Sequence, residues 1–180
     1  FHVIPTDTIS ISIDKDAVLR SGIMLPDSIR HLKGEDLKNA IPDKIYISLK
    51  DMRILTKVDM LMLEMLANCN WERPLYMAIS VGEVSKLKFD HYFVQEGLAF
   101  RFTPFDYKKW GNVKGDNNYA IDVERLYENV MNRYKYGGLD TPGLYLDETT
   151  LRTCYYHRRL FAQLAKELIR QGDNTRARKV

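Results

Sequence analysis

The 180-residue sequence predicts an α/β domain, a small mixed sheet with a parallel strand-helix-strand unit, continued by helices at its C-terminal end. Three observations carry that prediction. Ile45 to Leu49 and Leu75 to Ile79 are short apolar runs of strand length. Between them, Val58 to Ala67 is apolar almost all round, opened by Thr56 and Asp59 in the spacing of a capping box. Beyond Asp122, two segments keep the 3.6-residue period of amphipathic helices. A helical crossover between two strands implies that they lie parallel in one sheet, so the first element pair and its Met/Leu helix define the unit. Only Lys57, Glu64 and Asn68 form a polar edge on that helix, and the remainder is expected to be covered by the sheet.

The elements follow in order. Thr8 to Ile13 alternates Ile9, Ile11 and Ile13 against Ser10 and Ser12, the period of an edge strand with one wet face. Asp14 or Asp16 caps a short helix through Leu19 that Gly22 closes, and Pro26, Gly34 and Pro42 punctuate helical turns. Asn70-Trp71-Glu72-Arg73-Pro74 converts helix to strand, because Pro74 cannot continue a helix and pushes Arg73 out of the α region. Phe89 to Phe93 reads as a helical turn. Leu98 to Thr103 reads as a third strand, with Leu98, Phe100 and Phe102 facing one way and Ala99, Arg101 and Thr103 the other. Residues 105 to 119, with Trp110, form a long loop.

Asp122 caps a helix carrying Val123, Leu126, Tyr127, Val130, Met131 and Tyr134, which Gly137-Gly138 stops. After the turn Leu139 to Gly143, Asp147 caps the longest helix, running to about Gln171 with Gly172 beyond it. Its expected inward stripe is Leu151, Cys154, Tyr155, Phe161, Leu164, Ala165, Leu168 and Ile169, with Arg158 in the gap. Asp173 caps one more helix. The division expected is an α/β domain over 1–120 and a helical segment over 121–180. Phe1 at the start and Val180 inside a new helix read as the ends of a piece of a longer protein.

Composition excludes some functions. A net charge of +3, from 27 basic and 24 acidic side chains, is no nucleic-acid footprint. No run of about 18 uncharged apolar residues is present to span a bilayer. Cys69 and Cys154 lack metal spacing and read as buried apolar side chains or as one disulfide. His2, His31, His91 and His157 are scattered, and no phosphate loop, dinucleotide fingerprint or nucleophile elbow occurs, so no metal or cofactor is expected.

The candidate binding or structural residues are Trp71, Arg73, Glu96, Trp110, Asp140, Asp147 and Arg158, and no catalytic residue is assigned. A guanidinium at the core-facing position 158 needs acceptors, for which Asp140, Asp147, Glu148 and Glu96 are available; it pins the turn before the long helix or holds an anion. Asp147 and Glu148 are favourable at a helix start in any case. Trp71 with Arg73, and Trp110 in its loop, either stack a sugar or peptide or pack in the core.

Four spaced motifs carry a likeness: Asn70-Trp71-Glu72-Arg73-Pro74-Leu75-Tyr76; Tyr92 to Arg101; Gly137 to Glu148; and Leu164-Ala165-Lys166-Glu167-Leu168 with Gly172 and Ala177. Together they resemble the C-terminal region of a bacterial family of multi-pass membrane proteins related to protein O-mannosyltransferases, polytopic enzymes that use lipid-phosphosugars. The end of the chain is similar to the start of a tetratricopeptide-type repeat. The resemblance implies a non-catalytic accessory domain on the periplasmic side of the inner membrane. Its implied partners are the membrane-embedded remainder of the same chain and an acceptor protein or glycan. Two other readings are an independent glycan-acting hydrolase or transferase using Asp140, Asp147 or Glu148, and a structural assembly module.

Overall fold

The computed structural model describes residues 6–50, 52, 54–81, 87, 89–111, 119–139 and 141–180. The chain forms two compact units, one of residues 1–94 with 100–120 and one of 95–99 with 121–180. The fold is mixed α/β with small sheets and C-terminal helices.

In the first unit β1 (Thr8–Ser12) lies antiparallel to β2 (Lys44–Ser48) in a two-stranded sheet, with Ile9 opposite Ile47 and Ile11 opposite Ile45. These isoleucines fall on one face because strand side chains alternate, and Ile11, Ile45 and Ile47 are buried there. Between the strands come α1 (Lys15–Arg20) and α2 (Gly34–Ala40). Asp14 caps α1, accepting from the Ala17 amide at 2.9 Å, while Asp16 pairs with Lys38 at 2.7 Å.

The parallel pairing expected of Ile45–Leu49 and Leu75–Ile79 is not formed. β2 takes β1 as its partner, and β3 (Tyr76–Ala78) belongs to a second sheet. That sheet has the order β3-β5-β4-β6, with β4 (Phe93–Gln95), β5 (Ala99–Phe102) and β6 (Ala120–Ile121). The strand-helix-strand pattern is therefore real in sequence but not one sheet in space. The reason is register: the two isoleucines of β1 match the two of β2, and an antiparallel partner needs no crossover.

The intervening α3 (Lys57–Asn68) starts as expected, with the Thr56 side chain accepting from the Asp59 amide at 3.2 Å and Asp59 from the Thr56 amide at 2.8 Å. Its surroundings differ from expectation. Only Asp59, Leu63 and Leu66 are buried, whereas Ile54 just before the helix and Val58, Leu61 and Met65 on it are 70%, 41%, 62% and 50% exposed. Two short sheets offer too little surface to cover an all-round apolar helix.

The aromatic core gathers Phe89, Phe93 and Phe102, with ring centroids 5.5 to 6.3 Å apart. A single 3-10 turn (Asp90–Tyr92) leads into β4. β5 is a core strand, as its sequence suggests, and both its faces are covered, since Phe100, Arg101, Phe102 and Thr103 are all buried. The long loop likewise begins in the core: Phe105 and Tyr107 are fully buried, and the Tyr107 hydroxyl donates to the Met24 carbonyl.

The second unit holds residues 95–99, α4 (Val123–Glu128), a π-helical turn (Asn129–Arg133), α5 (Glu148–Arg170) and α6 (Asn174–Ala177). The first helix was expected to run unbroken through Tyr134. Instead it widens after Glu128, and the Tyr134 amide donates five residues back to Asn129 at 2.8 Å. Asp147 caps α5 through the Thr149 and Thr150 amides at 2.8 and 3.0 Å, Gly172 takes φ 82° past its end, and Asp173 caps α6 through the Arg176 amide at 2.9 Å. The inward stripe of α5 is rotated from the expected one: Leu160, Leu164 and Leu168 are buried, whereas Leu151, Tyr155 and Ile169 face solvent.

Candidate functional site

The helix-to-strand junction is the most constrained stretch of the first unit. Asn70 and Trp71 have φ of 48° and 60°, left-handed values that cost non-glycine residues about 1–3 kcal/mol each. Tertiary contacts of Trp71 offset this. Its ring is buried and stacked on Phe102 at 5.7 Å and 17°, and its Nε1–H donates to the Ser12 carbonyl at 3.0 Å. Trp71, Arg73, Leu75, Arg101 and Phe102, together with Cys69, border a shallow, partly open depression. Arg101 is buried and donates through Nη2 to the Ser21 carbonyl at 2.9 Å, while Arg73 is exposed. Sequence reading put Arg101 on the second face of a strand but gave it no site role, because its partner, the Ser21 carbonyl, is 80 residues away.

Trp110 lies elsewhere in this unit, half-buried and edge-on to Phe105 at 6.1 Å. Cys69 and Cys154 are both free thiols and half-buried.

In the second unit Glu96 is buried, with Oε1 3.1 Å from Arg125 Nη1, and its carbonyl accepts from Asn129 Nδ2 at 2.6 Å. The next two residues fix the turn. The Leu98 amide donates to the Tyr134 hydroxyl at 2.9 Å, and a Cβ on Gly97, at φ 154°, would lie 2.1 Å from that hydroxyl. Asp122 caps α4 through the Arg125 amide at 3.0 Å, and burial raises its carboxyl above the ordinary range against the pull of Arg125. A second ionic group joins Arg176 to Glu124 at 2.7 Å and to Asp173 at 2.6 Å, with the guanidinium 5.3 Å from the Tyr127 ring centre. The guanidinium holds the Glu124 carboxyl below its usual range, the Arg176 amide and then the guanidinium hold the Asp173 carboxyl below its own, and the two carboxylates raise the guanidinium. Arg125, Tyr134 and Arg176 had no sequence signal beyond helix periodicity, because their partners are 29 to 52 residues away.

Asp147 and Glu148 are both engaged at the start of α5. Asp147 is an exposed N-cap whose carboxyl is lowered by the Thr150 hydroxyl and by backbone amides, and Glu148 pairs with Arg152 at 3.1 Å. Asp140 lies outside the described residues. Arg158, expected to face the core and seek these carboxylates, is exposed instead, because the buried stripe runs through Leu160 rather than Leu151 and Tyr155. Among the described residues no group of three or more His, Cys, Asp or Glu is placed to hold a metal ion, and no helix is long and apolar enough to cross a membrane.

A family model described as TMEM260-associated domain 2 matches residues 1–124. The chain belongs to that family. TMEM260 is a membrane protein family, so this member of TMEM260-associated domain 2 is a domain linked to membrane proteins that has no span of its own among the described residues. No curated protein and no solved structure matches the chain. The match takes in the Trp71 junction, the Glu96 turn and the start of α4, whereas α5 and α6 lie beyond it.

Proposed function

We propose that this chain is a non-catalytic extracytoplasmic accessory domain of a multi-pass, glycosyltransferase-like membrane protein, on the periplasmic side, and that it stabilises the membrane-embedded catalytic part. The observation that supports the reading most is the apolar column Ile54, Val58, Leu61 and Met65, left in solvent on a domain whose family is tied to a membrane protein. Spacings of three and four residues put Val58, Leu61 and Met65 on one helical face, and Ile54 lies in the segment just before it. Covering an exposed Leu or Met gains on the order of 1–2 kcal/mol, so four such residues are a usable docking stripe. The occupant is the remainder of the parent chain. The tetratricopeptide-like hairpin of α5 and α6 is the part proposed to meet an acceptor protein.

The test is co-purification in detergent of this chain with the membrane-embedded remainder, expressed as separate polypeptides. Leu61→Glu with Met65→Glu, both at exposed positions, is expected to leave the circular dichroism spectrum unchanged and abolish co-purification. Undiminished co-purification would overturn the docking role. A reporter active only outside the cytoplasm, fused after Val180 in the parent, is expected to be active; activity only of a cytoplasmic reporter would overturn the assigned side.

A further inference from the structure

The solvent face of α5 is not an ordinary charged face. At 100° per residue, Leu151, Tyr155, Arg158, Arg159, Lys166 and Ile169 fall within an arc of about 100°, opposite Leu160, Leu164 and Leu168. Leu151, Tyr155 and Ile169 are 53%, 69% and 60% exposed. Arg158, Arg159 and Lys166 are exposed and make no ion pair among the described residues. Of the two carboxylates of the helix, Glu148 shares this arc and pairs with Arg152 at 3.1 Å, and Glu167 lies outside it and pairs with Arg170 at 2.5 Å. The face is thus apolar and net cationic, since Glu148, the carboxylate that shares its arc, is already paired with Arg152.

We infer that this face of α5 is a contact surface for the anionic headgroups of a lipid bilayer. Charge complementarity supplies the attraction, and the interleaving of long cations with Tyr, Leu and Ile suits an interface where apolar bodies enter the acyl boundary and charged tips stay at headgroup level. A helix face is convex, which suits a planar surface; a bound peptide would need a groove. The inference rests on the family's tie to membranes but not on docking through α3.

The test is sedimentation of the 180-residue chain with phosphatidylcholine vesicles, with and without phosphatidylglycerol. Binding is expected only with the anionic lipid, and it should weaken as salt shortens the screening length. Each cation near such a surface multiplies partitioning by about five, so Arg158→Gln, Arg159→Gln and Lys166→Gln together should lower it by about a hundredfold. Tyr155→Ala should lower partitioning while leaving the salt dependence intact. All four positions are exposed, so the variants are expected to keep the native unfolding midpoint. Equal uptake on neutral vesicles, or uptake unchanged by the triple substitution, would overturn the inference. So would concentration-dependent self-association lost in the same variants, or preference for an acidic polypeptide over vesicles. Because the assay needs no parent protein, its failure is distinct from failure of α3 docking.

Discussion

Gly97→Ala tests how the second unit is locked. A methyl at that position would sit 2.1 Å from the Tyr134 hydroxyl oxygen and 3.1 Å from its ring carbon, on a backbone at φ 154°. The hydroxyl cannot simply step aside, because it accepts the Leu98 amide at 2.9 Å. Relieving the overlap by moving Tyr134 orphans that amide, and overpacking of this kind costs about 1–3 kcal/mol with about 1 kcal/mol more for the hydrogen bond. The expected total is about 2–4 kcal/mol, read as a lower urea midpoint at unchanged slope. Tyr134→Phe alone should cost about 1–2 kcal/mol by leaving the Leu98 amide without its acceptor. Once the oxygen is gone the worst overlap disappears, so the double variant should be more stable than the sum of the singles predicts, by about 1 kcal/mol or more. Stability of Gly97→Ala within about 0.5 kcal/mol of the native chain, or strict additivity in the cycle, would refute the reasoning.

Other perturbations follow from the same geometry. Trp71→Phe keeps the stacking on Phe102 but loses the bond to the Ser12 carbonyl, and should lower stability by about 1–3 kcal/mol in chemical denaturation. Thr56→Ala removes one arm of the capping box of α3 and should cost about 1 kcal/mol by the same measurement, with co-purification of the membrane-embedded remainder unaffected once the chain is folded. Glu124 and Asp173 are held below their usual range by Arg176, so their contribution is complete above the unfolded carboxylate values of about 4 and is lost as pH falls through the lowered native ones. Arg176→Gln removes the guanidinium but keeps the amide that bonds Asp173, so it should flatten in part the fall of the urea midpoint below about pH 4; an acid limb as steep as the native one would contradict the ion-pair account. Asp122 works in the opposite sense, since burial raises its carboxyl and the strain of ionising it is relieved as pH falls through that raised value.

Caps and punctuation were legible in the chain because they are local. Thr56 with Asp59, Asp122, Asp147 and Asp173 each accept from an amide within three residues, so the side chain and its partner are fixed by spacing alone. The alternation of Ile9 and Ile11, the helix stop at Gly172 and the helical run from Glu148 were determined in the same way. Pairing and facing were not. Whether β2 meets β3 or β1 depends on which strand brings a matching set of isoleucines, and the answer was β1. Whether α3 is covered depends on how much sheet is built, and two small sheets leave Leu61 and Met65 in water. On α5 the apolar residues are numerous enough to define two rival stripes. Packing around Leu160 and Leu164 selected one, turning Arg158 outward and Tyr155 with it. Periodicity names the elements because a hydrogen-bonded turn or cap closes within a few residues; the side that is buried is decided by surface supplied from distant parts of the chain.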